Sequence, residues 1–150
     1  MLPNKLDITK AQKKDLENVK QLLRKCQLPS SDLTKHHMDH FFLLKSGNKI
    51  HGSVGLEIFE PYGLLRSLAI KKEMREQGYG KLLVNQIENY GHEQDIKRIY
   101  LLTTTAQNFF KKNDYRNINR NRIPQNVKKS KEFSSLCPES AASMVKYFNK

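Results

Sequence analysis

The sequence predicts an α/β domain built on a mixed, largely antiparallel sheet flanked by helices, and three observations support this class. Short apolar segments with strand periodicity alternate with amphipathic helices along the 150 residues. Two strong turn signals, at 46–48 and 60–63, separate three consecutive strands and favour antiparallel pairing between them. A nearly continuous apolar segment at 98–104 is typical of a strand in the centre of a sheet.

The first half of the chain is expected to form a strand, a helix and a three-stranded meander. Strand character spans residues 5–9. A helix is predicted over residues 14–26, where apolar side chains recur at helical spacing at Leu16, Val19, Leu23 and Cys26. The three strands of the meander follow at residues 41–44, 50–59 and 64–70.

The second half is predicted to alternate helices with strands. A helix begins after Gly78, carries an apolar stripe and is expected to end at Gly91. Beyond it we predict a strand at 98–104, a short helix at 106–113, a strand at 115–120 and a helical turn at 124–130. Pro138 suits the first turn of a last helix, whose apolar face is formed by Ala141, Met144, Val145 and Phe148.

Length and composition favour one cytoplasmic domain over residues 1–150. The sequence has no apolar run near the roughly 18 residues of a membrane span and no charged-then-apolar leader, so we expect no membrane partner. Cys26 and Cys137 lack metal-ligand spacing, and we interpret Cys137 as a packed side chain. The histidines at 36, 37 and 40 are interpreted as a solvated loop, so no metal is expected.

The net charge of +12 is concentrated in the two flanks. Residues 55–106 carry seven basic and seven acidic side chains, so the whole excess lies in 1–54 and 107–150. Such flanks steer anionic ligands, bind nucleic acid or form a solvated lysine-rich surface. No aromatic side chains alternate with the lysines as a base-stacking platform requires, which disfavours nucleic acid as a partner.

The most informative segment is the turn and helix at residues 68–84. It contains a strand end, an Arg-x-x-Gly-x-Gly turn from Arg75 to Gly80, and an amphipathic helix. Glycines let a ligand approach the backbone, and the first N–H groups of a helix have no carbonyl partner. The segment therefore predicts a site for an anion such as a pyrophosphate, with an ordinary strand-to-helix turn as the alternative. The absence of a third glycine excludes a dinucleotide fingerprint, and Leu82 after Gly80-Lys81 excludes a P-loop.

This motif, after the strand end Leu68-Ala69-Ile70, resembles the acetyl-CoA-binding motif of the GNAT superfamily of N-acetyltransferases. Residues 99–106, Phe109-Phe110 and 113–115 resemble that family's next strand and helix. Segments 64–69, 101–106, 132–133 and 136–141 are together similar to the subgroup associated with arsenic-resistance gene clusters. The resemblance implies a GNAT-like fold in which two neighbouring parallel strands splay apart.

By this resemblance acetyl-CoA is the cosubstrate. The amides of residues 77–81 would hold its pyrophosphate, and the backbone of 68–70 would pair with its pantetheine arm. A backbone N–H near Leu68 would polarise the thioester oxygen. The residues expected to contact the cofactor are Leu68, Ala69, Ile70, Arg75, Gln77, Gly78, Tyr79, Gly80, Lys81, Asn108 and Phe110.

The usual catalytic side chains of the family are not in their usual places. Many members carry a glutamate where this chain has Leu64-Leu65, so the nearest acid, Glu57, is the candidate base. Glu57 could equally be a substrate ligand or an ordinary residue on the polar face of a strand. Phe110 stands where many members have a tyrosine that protonates the leaving thiolate, and it has no proton to donate. Asp114 replaces a usual glycine, which implies a modified turn.

Two further residues are candidate substrate contacts. Arg66 is the sole charge in its strand, and it either pairs with Glu57 or Glu132 or faces an anionic group of the substrate. Thr104 lies near the end of the next strand, where its hydroxyl could reach a ligand or simply reflect strand propensity.

The sequence therefore predicts an acetyl-CoA-dependent N-acetyltransferase acting on the amine of a small molecule, with arsenic-related amino compounds as the implication of the subgroup. Alternatives are an acetyltransferase for protein amines, a catalytically weak acyl-CoA-binding or regulatory module, and a basic nucleic-acid-binding protein. The expected oligomeric state is a monomer or a homodimer.

Overall fold

The computed structural model describes residues 5–133 and 140–148. The strands are β1 (Leu6–Lys10), β2 (Phe41–Ser46), β3 (Lys49–Phe59), β4 (Tyr62–Ile70), β5 (Arg98–Thr103), β6 (Arg116–Asn117) and β7 (Ala142–Tyr147). The α-helices are α1 (Leu16–Lys25), α2 (Tyr79–Glu93), α3 (Gln107–Lys112) and α4 (Gln125–Lys128). Short 3-10 turns occupy Lys13–Asp15, Lys35–His40, Lys72–Met74 and Arg120–Arg122.

The seven strands form one mixed sheet in the order β1-β2-β3-β4-β5-β7-β6. Antiparallel pairing joins β1 to β2, β2 to β3, β5 to β7 and β6 to β7. β4 and β5 pair in parallel. The predicted class, a mixed and largely antiparallel sheet with one parallel pair and flanking helices, is confirmed.

The chain divides into two compact units, and the first comprises residues 1–56 and 67–89. In this unit α1 places its apolar stripe against buried side chains of β2 and of the turn before it. The innermost members of this cluster, all without measurable exposure, are Val19, Leu23, Met38, Phe41 and Leu43. A Cβ at Gly55 would collide with the ring of Phe41, which explains why a residue without a side chain lies there.

The second unit comprises residues 57–66 and 90–150. Its apolar cluster combines side chains of β4, β5 and β7 with those of the segment around α4, namely Leu64, Tyr100, Ile123, Val127, Phe133 and Val145. The strand predicted at 98–104 has buried residues at Ile99, Tyr100 and Leu101, as its continuous apolar character indicated.

The prediction of a C-terminal helix after residue 138 is wrong, because Ala142–Tyr147 forms strand β7. β7 pairs with β5 on one side and with β6 on the other, so a central position in the sheet decides its conformation. Met144 and Val145 are both buried, and two successive buried residues in a strand covered on both faces imitate helical spacing. Pro138 and Cys137 lie outside the described residues.

Smaller differences concern element ends. α2 continues to Glu93, two residues beyond the predicted stop at Gly91. The strand expected at 115–120 is reduced to Arg116–Asn117, and a 3-10 turn follows at Arg120–Arg122. Among the described residues, no helix is both long and apolar enough to span a membrane.

Candidate active site

The predicted anion site lies at the start of α2 and is exposed to solvent. Gly78, directly before the helix, has a φ of 86°, and Glu76 has a φ of 64°. A Cβ built on Gly78 meets nothing within 4 Å, so open space lies in front of this peptide. Gln77 and Lys81 are exposed, while Tyr79 and Gly80 are half-buried.

The backbone at this helix start suits a pyrophosphate. The Leu82 N–H donates to the Gly78 carbonyl oxygen over 3.2 Å, which closes the first turn of α2. The N–H groups that precede Leu82 have no intrahelical acceptor, as at the start of any α-helix. Together with the positive end of the helix dipole, they form an anion-binding surface that a ligand phosphate can approach at Gly78.

Arg75 links this turn to the end of β4. Its Nε donates to the Ile70 carbonyl oxygen over 2.9 Å. Its Nη2 lies 3.6 Å from the Cys26 thiol, which lies 3.7 Å from the same carbonyl oxygen. The motif arginine therefore holds the last carbonyl of β4 beside the C-terminal end of α1 and carries positive charge to that point.

The parallel pairing of β4 with β5 is short. Its register runs from Tyr62 opposite Arg98 to Leu64 opposite Tyr100, and within the described chain it stops there although β5 continues to Thr103. The rest of β4 therefore presents a backbone edge that β5 does not pair. Splayed parallel strands are what the family resemblance implied for this point.

Beyond that point the backbone of β4 takes an unusual turn at Ser67. This residue has a φ of 60°, in the left-handed region that is uncommon for residues other than glycine or asparagine. The Ser53 hydroxyl on β3 donates to the Ser67 carbonyl oxygen over 2.8 Å, in a buried environment. Ala69 is buried after it, whereas Leu68 and Ile70 are half-buried.

Glu57 and Arg66 meet in a buried charged cluster of the second unit. Arg66 Nη1 donates to Glu57 Oε2 over 2.7 Å, and Arg66 Nε lies 3.4 Å from Glu132 Oε1. The Ser130 hydroxyl donates to Glu57 Oε1 over 3.0 Å. The Arg66 side chain has no exposure, that of Glu132 has 5% and that of Glu57 has 14%. Arg66 thus bridges the two carboxyl groups, and among these three side chains Glu57 is the most accessible.

The remaining predicted residues lie around α3. Asn108 and Thr104 are exposed, whereas Phe110 is only 4% exposed and packs edge-to-face on Tyr115. Asp114 has a φ of 73°, so the aspartate adopts the conformation that a glycine would take at this turn.

The structure thus groups the predicted residues in three places. The first unit contains the turn 75–81 and the β4 segment 68–70, joined through the Arg75 hydrogen bond. The second contains the Glu57–Arg66 pair and, separately, the residues of α3. Sequence reasoning missed Ser53, Ser67 and Ser130, because single serines in strands and loops give no signal of where their hydroxyls point.

Comparisons of the sequence with known proteins agree on one family. The sequence profile described as the Acetyltransferase (GNAT) family matches residues 7–116. An uncharacterized N-acetyltransferase of Chlorobaculum tepidum is 28% identical over 92 residues, which is 61% of this chain and 59% of that relative.

The fold also resembles solved acetyltransferases. N-acetylglutamate synthase from Neisseria gonorrhoeae, complexed with coenzyme A and N-acetyl-glutamate, matches at 18% identity with a TM-score of 0.83 over 99% of this chain and 36% of that one. PaiA N-acetyltransferase from Thermoplasma acidophilum, in complex with coenzyme A, matches at 15% identity with a TM-score of 0.70 over 96% of this chain and 99% of that one. Because the profile covers most of the sequence and the sheet has the expected parallel pair, the chain belongs to the GNAT family of acetyltransferases.

Proposed function

We propose that the protein is an N-acetyltransferase that uses acetyl-CoA to acetylate the amine of a small molecule. The observation that carries the proposal is the exposed start of α2, with open space at Gly78 and first-turn N–H groups that have no intrahelical acceptor. Coenzyme A is bound by the synthase and by PaiA in the structures that resemble this fold. The family and the local geometry thus support the same cosubstrate.

In this proposal the two parts of the first unit hold different parts of acetyl-CoA. The amides of residues 77–81 bind the pyrophosphate, and Arg75 and Lys81 add positive charge. The pantetheine arm extends along the β4 segment 68–70 as an added strand, because that edge is not paired by β5. Asn108 and Phe110, which sequence reasoning also assigned to the cofactor, are retained as expected contacts.

The acceptor amine has to lose a proton before or during its attack on the thioester carbon. Glu57 is the residue proposed for this, because its carboxylate is the most accessible of the charged cluster and two donors, Arg66 and Ser130, fix its orientation. A thiolate is an adequate leaving group, so the absence of an acidic tyrosine at Phe110 does not prevent the reaction.

The proposed class of acceptor follows from the family resemblance of the sequence. The similarity to the arsenic-resistance subgroup supports small amino compounds linked to arsenic, and Thr104 is proposed as a contact for the acceptor's polar groups. A protein amine is the alternative acceptor. We also propose that residues 1–150 act as one functional domain in a reduced, cytoplasmic setting.

Cofactor binding is tested first, by calorimetric titration of the purified protein with acetyl-CoA and with coenzyme A. Gly78→Ala should weaken both ligands by about tenfold or more, because its Cβ enters the space that the phosphates approach. Gly47→Ala is the matched control. Gly47 also has a positive φ, 58°, and open space around its Cβ, so both variants carry a similar strain of about 1 kcal/mol.

Turnover is tested by the release of free thiol from acetyl-CoA in the presence of a panel of amines. Glu57→Gln should lower kcat by about 100-fold with the best amine, in line with the loss of a general base. Glu60→Gln, an exposed change in the same hairpin, should leave turnover unchanged. Tight binding of acetyl-CoA without turnover of any amine would identify a binding module and refute the enzymatic proposal.

A further inference from the structure

Ser53 is a buried polar residue in the first unit whose hydroxyl has a defined target. It lies on β3, has no measurable exposure, and donates to the Ser67 carbonyl oxygen over 2.8 Å. That carbonyl belongs to the one residue of β4 in the left-handed region, with a φ of 60°. The hydroxyl therefore stabilises the local conformation in which β4 departs from regular strand geometry.

This hydrogen bond fixes the direction of a second group. The Ser67 carbonyl and the Leu68 N–H belong to the same peptide unit, which is planar and trans. In such a unit the carbonyl oxygen and the amide hydrogen point in opposite directions. Because the carbonyl accepts from the Ser53 hydroxyl, the Leu68 N–H points away from that hydroxyl, on a stretch of β4 beyond the residues that pair with β5.

We propose that Ser53 is a positioning residue that aims and strengthens the Leu68 N–H as the donor for the thioester oxygen of acetyl-CoA. The inference rests on the proposed function. A hydrogen bond accepted by a peptide carbonyl polarises the whole unit and makes its N–H a better donor. An oxyanion donor is effective only when it is oriented before the reaction, and Ser53 supplies that orientation.

The step that benefits is the attack of the neutral amine on the carbonyl carbon. A C–N bond forms, and the carbonyl electron pair moves to oxygen, where the Leu68 N–H stabilises the negative charge. The C–S bond then breaks as this pair returns, and the thiolate leaves with the C–S electrons. The proton lost by the amine passes to Glu57 or to solvent, which balances the transfer.

Three variants test the role of the Ser53 hydroxyl. Ser53→Ala removes it, and Ser53→Thr retains a hydroxyl on the same carbon. Ser143→Ala is the matched control, because the buried Ser143 hydroxyl also donates to a backbone carbonyl, that of Ile118, over 2.6 Å. Both alanine variants should lose stability to a similar extent in urea unfolding, because each loses one hydrogen bond from a buried hydroxyl to a backbone carbonyl.

The decisive readout is the carbonyl stretch of bound acetyl-CoA, measured by isotope-edited infrared difference spectroscopy with a ¹³C-labelled acetyl group. Wild type, Ser53→Thr and Ser143→Ala should all lower the stretching frequency relative to free acetyl-CoA. Ser53→Ala should bind acetyl-CoA but produce a smaller shift. Its kcat should fall about tenfold while KM for acetyl-CoA changes by less than about threefold, which a general loss of structure would not produce.

Three results would overturn the inference in different ways. If Ser53→Ala keeps the wild-type carbonyl shift and kcat, Ser53 has no positioning role and the proposed function still stands. If the wild-type protein binds no acetyl-CoA, the proposed function fails and the inference fails with it. Loss of the shift in Ser143→Ala to the same extent as in Ser53→Ala would also refute it, because the effect would then be one of stability alone.

Discussion

Replacing Arg66 by methionine should destabilise the protein strongly, because the change removes the guanidinium that two largely buried carboxyl groups share. The Arg66 guanidinium lies 2.7 Å from Glu57 Oε2 and 3.4 Å from Glu132 Oε1, and its side chain has no exposure. At an effective dielectric constant near 20, each attraction at such range is about 5–6 kcal/mol before the cost of removing the charges from water. Removing one partner of a buried pair typically costs about 3–5 kcal/mol, which is the expected loss for Arg66→Met.

The assay is equilibrium unfolding in urea at neutral pH, with Arg66→Met, Glu132→Met and the double variant. Arg66→Met/Glu132→Met removes one positive and one negative charge and leaves Glu57 with its hydrogen bond from Ser130. The double variant should therefore recover much of the loss and lie within about 2 kcal/mol of the wild type. Arg24→Met, on the exposed side of α1, should change the free energy of unfolding by less than about 0.5 kcal/mol.

Two results would refute this reasoning. A loss below about 1 kcal/mol for Arg66→Met would mean that the cluster behaves like an exposed ion pair. Additive losses in the double variant would mean that Arg66 and Glu132 are not energetically coupled, despite the 3.4 Å contact.

Three further outcomes can be measured on the same protein. Gly55→Ala should lower the free energy of unfolding by about 1–3 kcal/mol by forcing the buried ring of Phe41 to move, and adding Phe41→Leu should reverse part of the loss in urea unfolding. Burial, and then neighbouring lysines, lower the pKa of His51 below its ordinary 6.5. The unfolded chain therefore binds more protons, stability should fall as the pH drops from about 7.5 to 5, and His51→Gln should flatten that fall; an unchanged slope would contradict it. Met144→Ala in β7 should cost about 2–5 kcal/mol in thermal or urea unfolding, whereas Tyr147→Ala at an exposed position should cost less than half as much, and equal losses would argue against the strand.

The turn before α2 could be predicted from sequence because it depends on neighbouring residues alone. Gly78 precedes a helix whose apolar stripe is visible in the sequence, and the proposed anion site needs only the backbone of that one turn. The β2–β3–β4 meander was predictable for the same reason, since turn residues and apolar runs alternate over short distances. The structure adds the hydrogen bond from Arg75 to the Ile70 carbonyl, which links two parts of the motif five residues apart.

Features that depend on distant parts of the chain were not predictable. β7 was interpreted as a helix because its conformation depends on pairing with β5 and β6, which lie far away in sequence. The hydrogen bond from Ser130 to Glu57 spans 73 positions, and neither residue alone indicates the other. Ser67 was missed because serine has no preference for a φ of 60°. Glycine, by contrast, readily adopts a positive φ, so Gly78 with its φ of 86° could be predicted to lie in a turn.

Gly78 and Ser67 both have a left-handed backbone conformation, but the steric cost of that conformation differs between them. At Gly78 the backbone is left-handed without a steric cost, so the turn before α2 forms without strain at this residue. At Ser67 the same region costs about 1–2 kcal/mol, and the hydrogen bond from Ser53, worth about 1 kcal/mol, offsets much of it. A strained residue kept in place by a buried partner is more costly than a regular strand would be, and under the proposed role of Ser53 what it gains is the direction of the Leu68 N–H. In the proposed mechanism these oriented backbone groups stabilise the reacting thioester, because the side chains of Leu64, Leu65 and Phe110 carry no group that can donate or accept a proton.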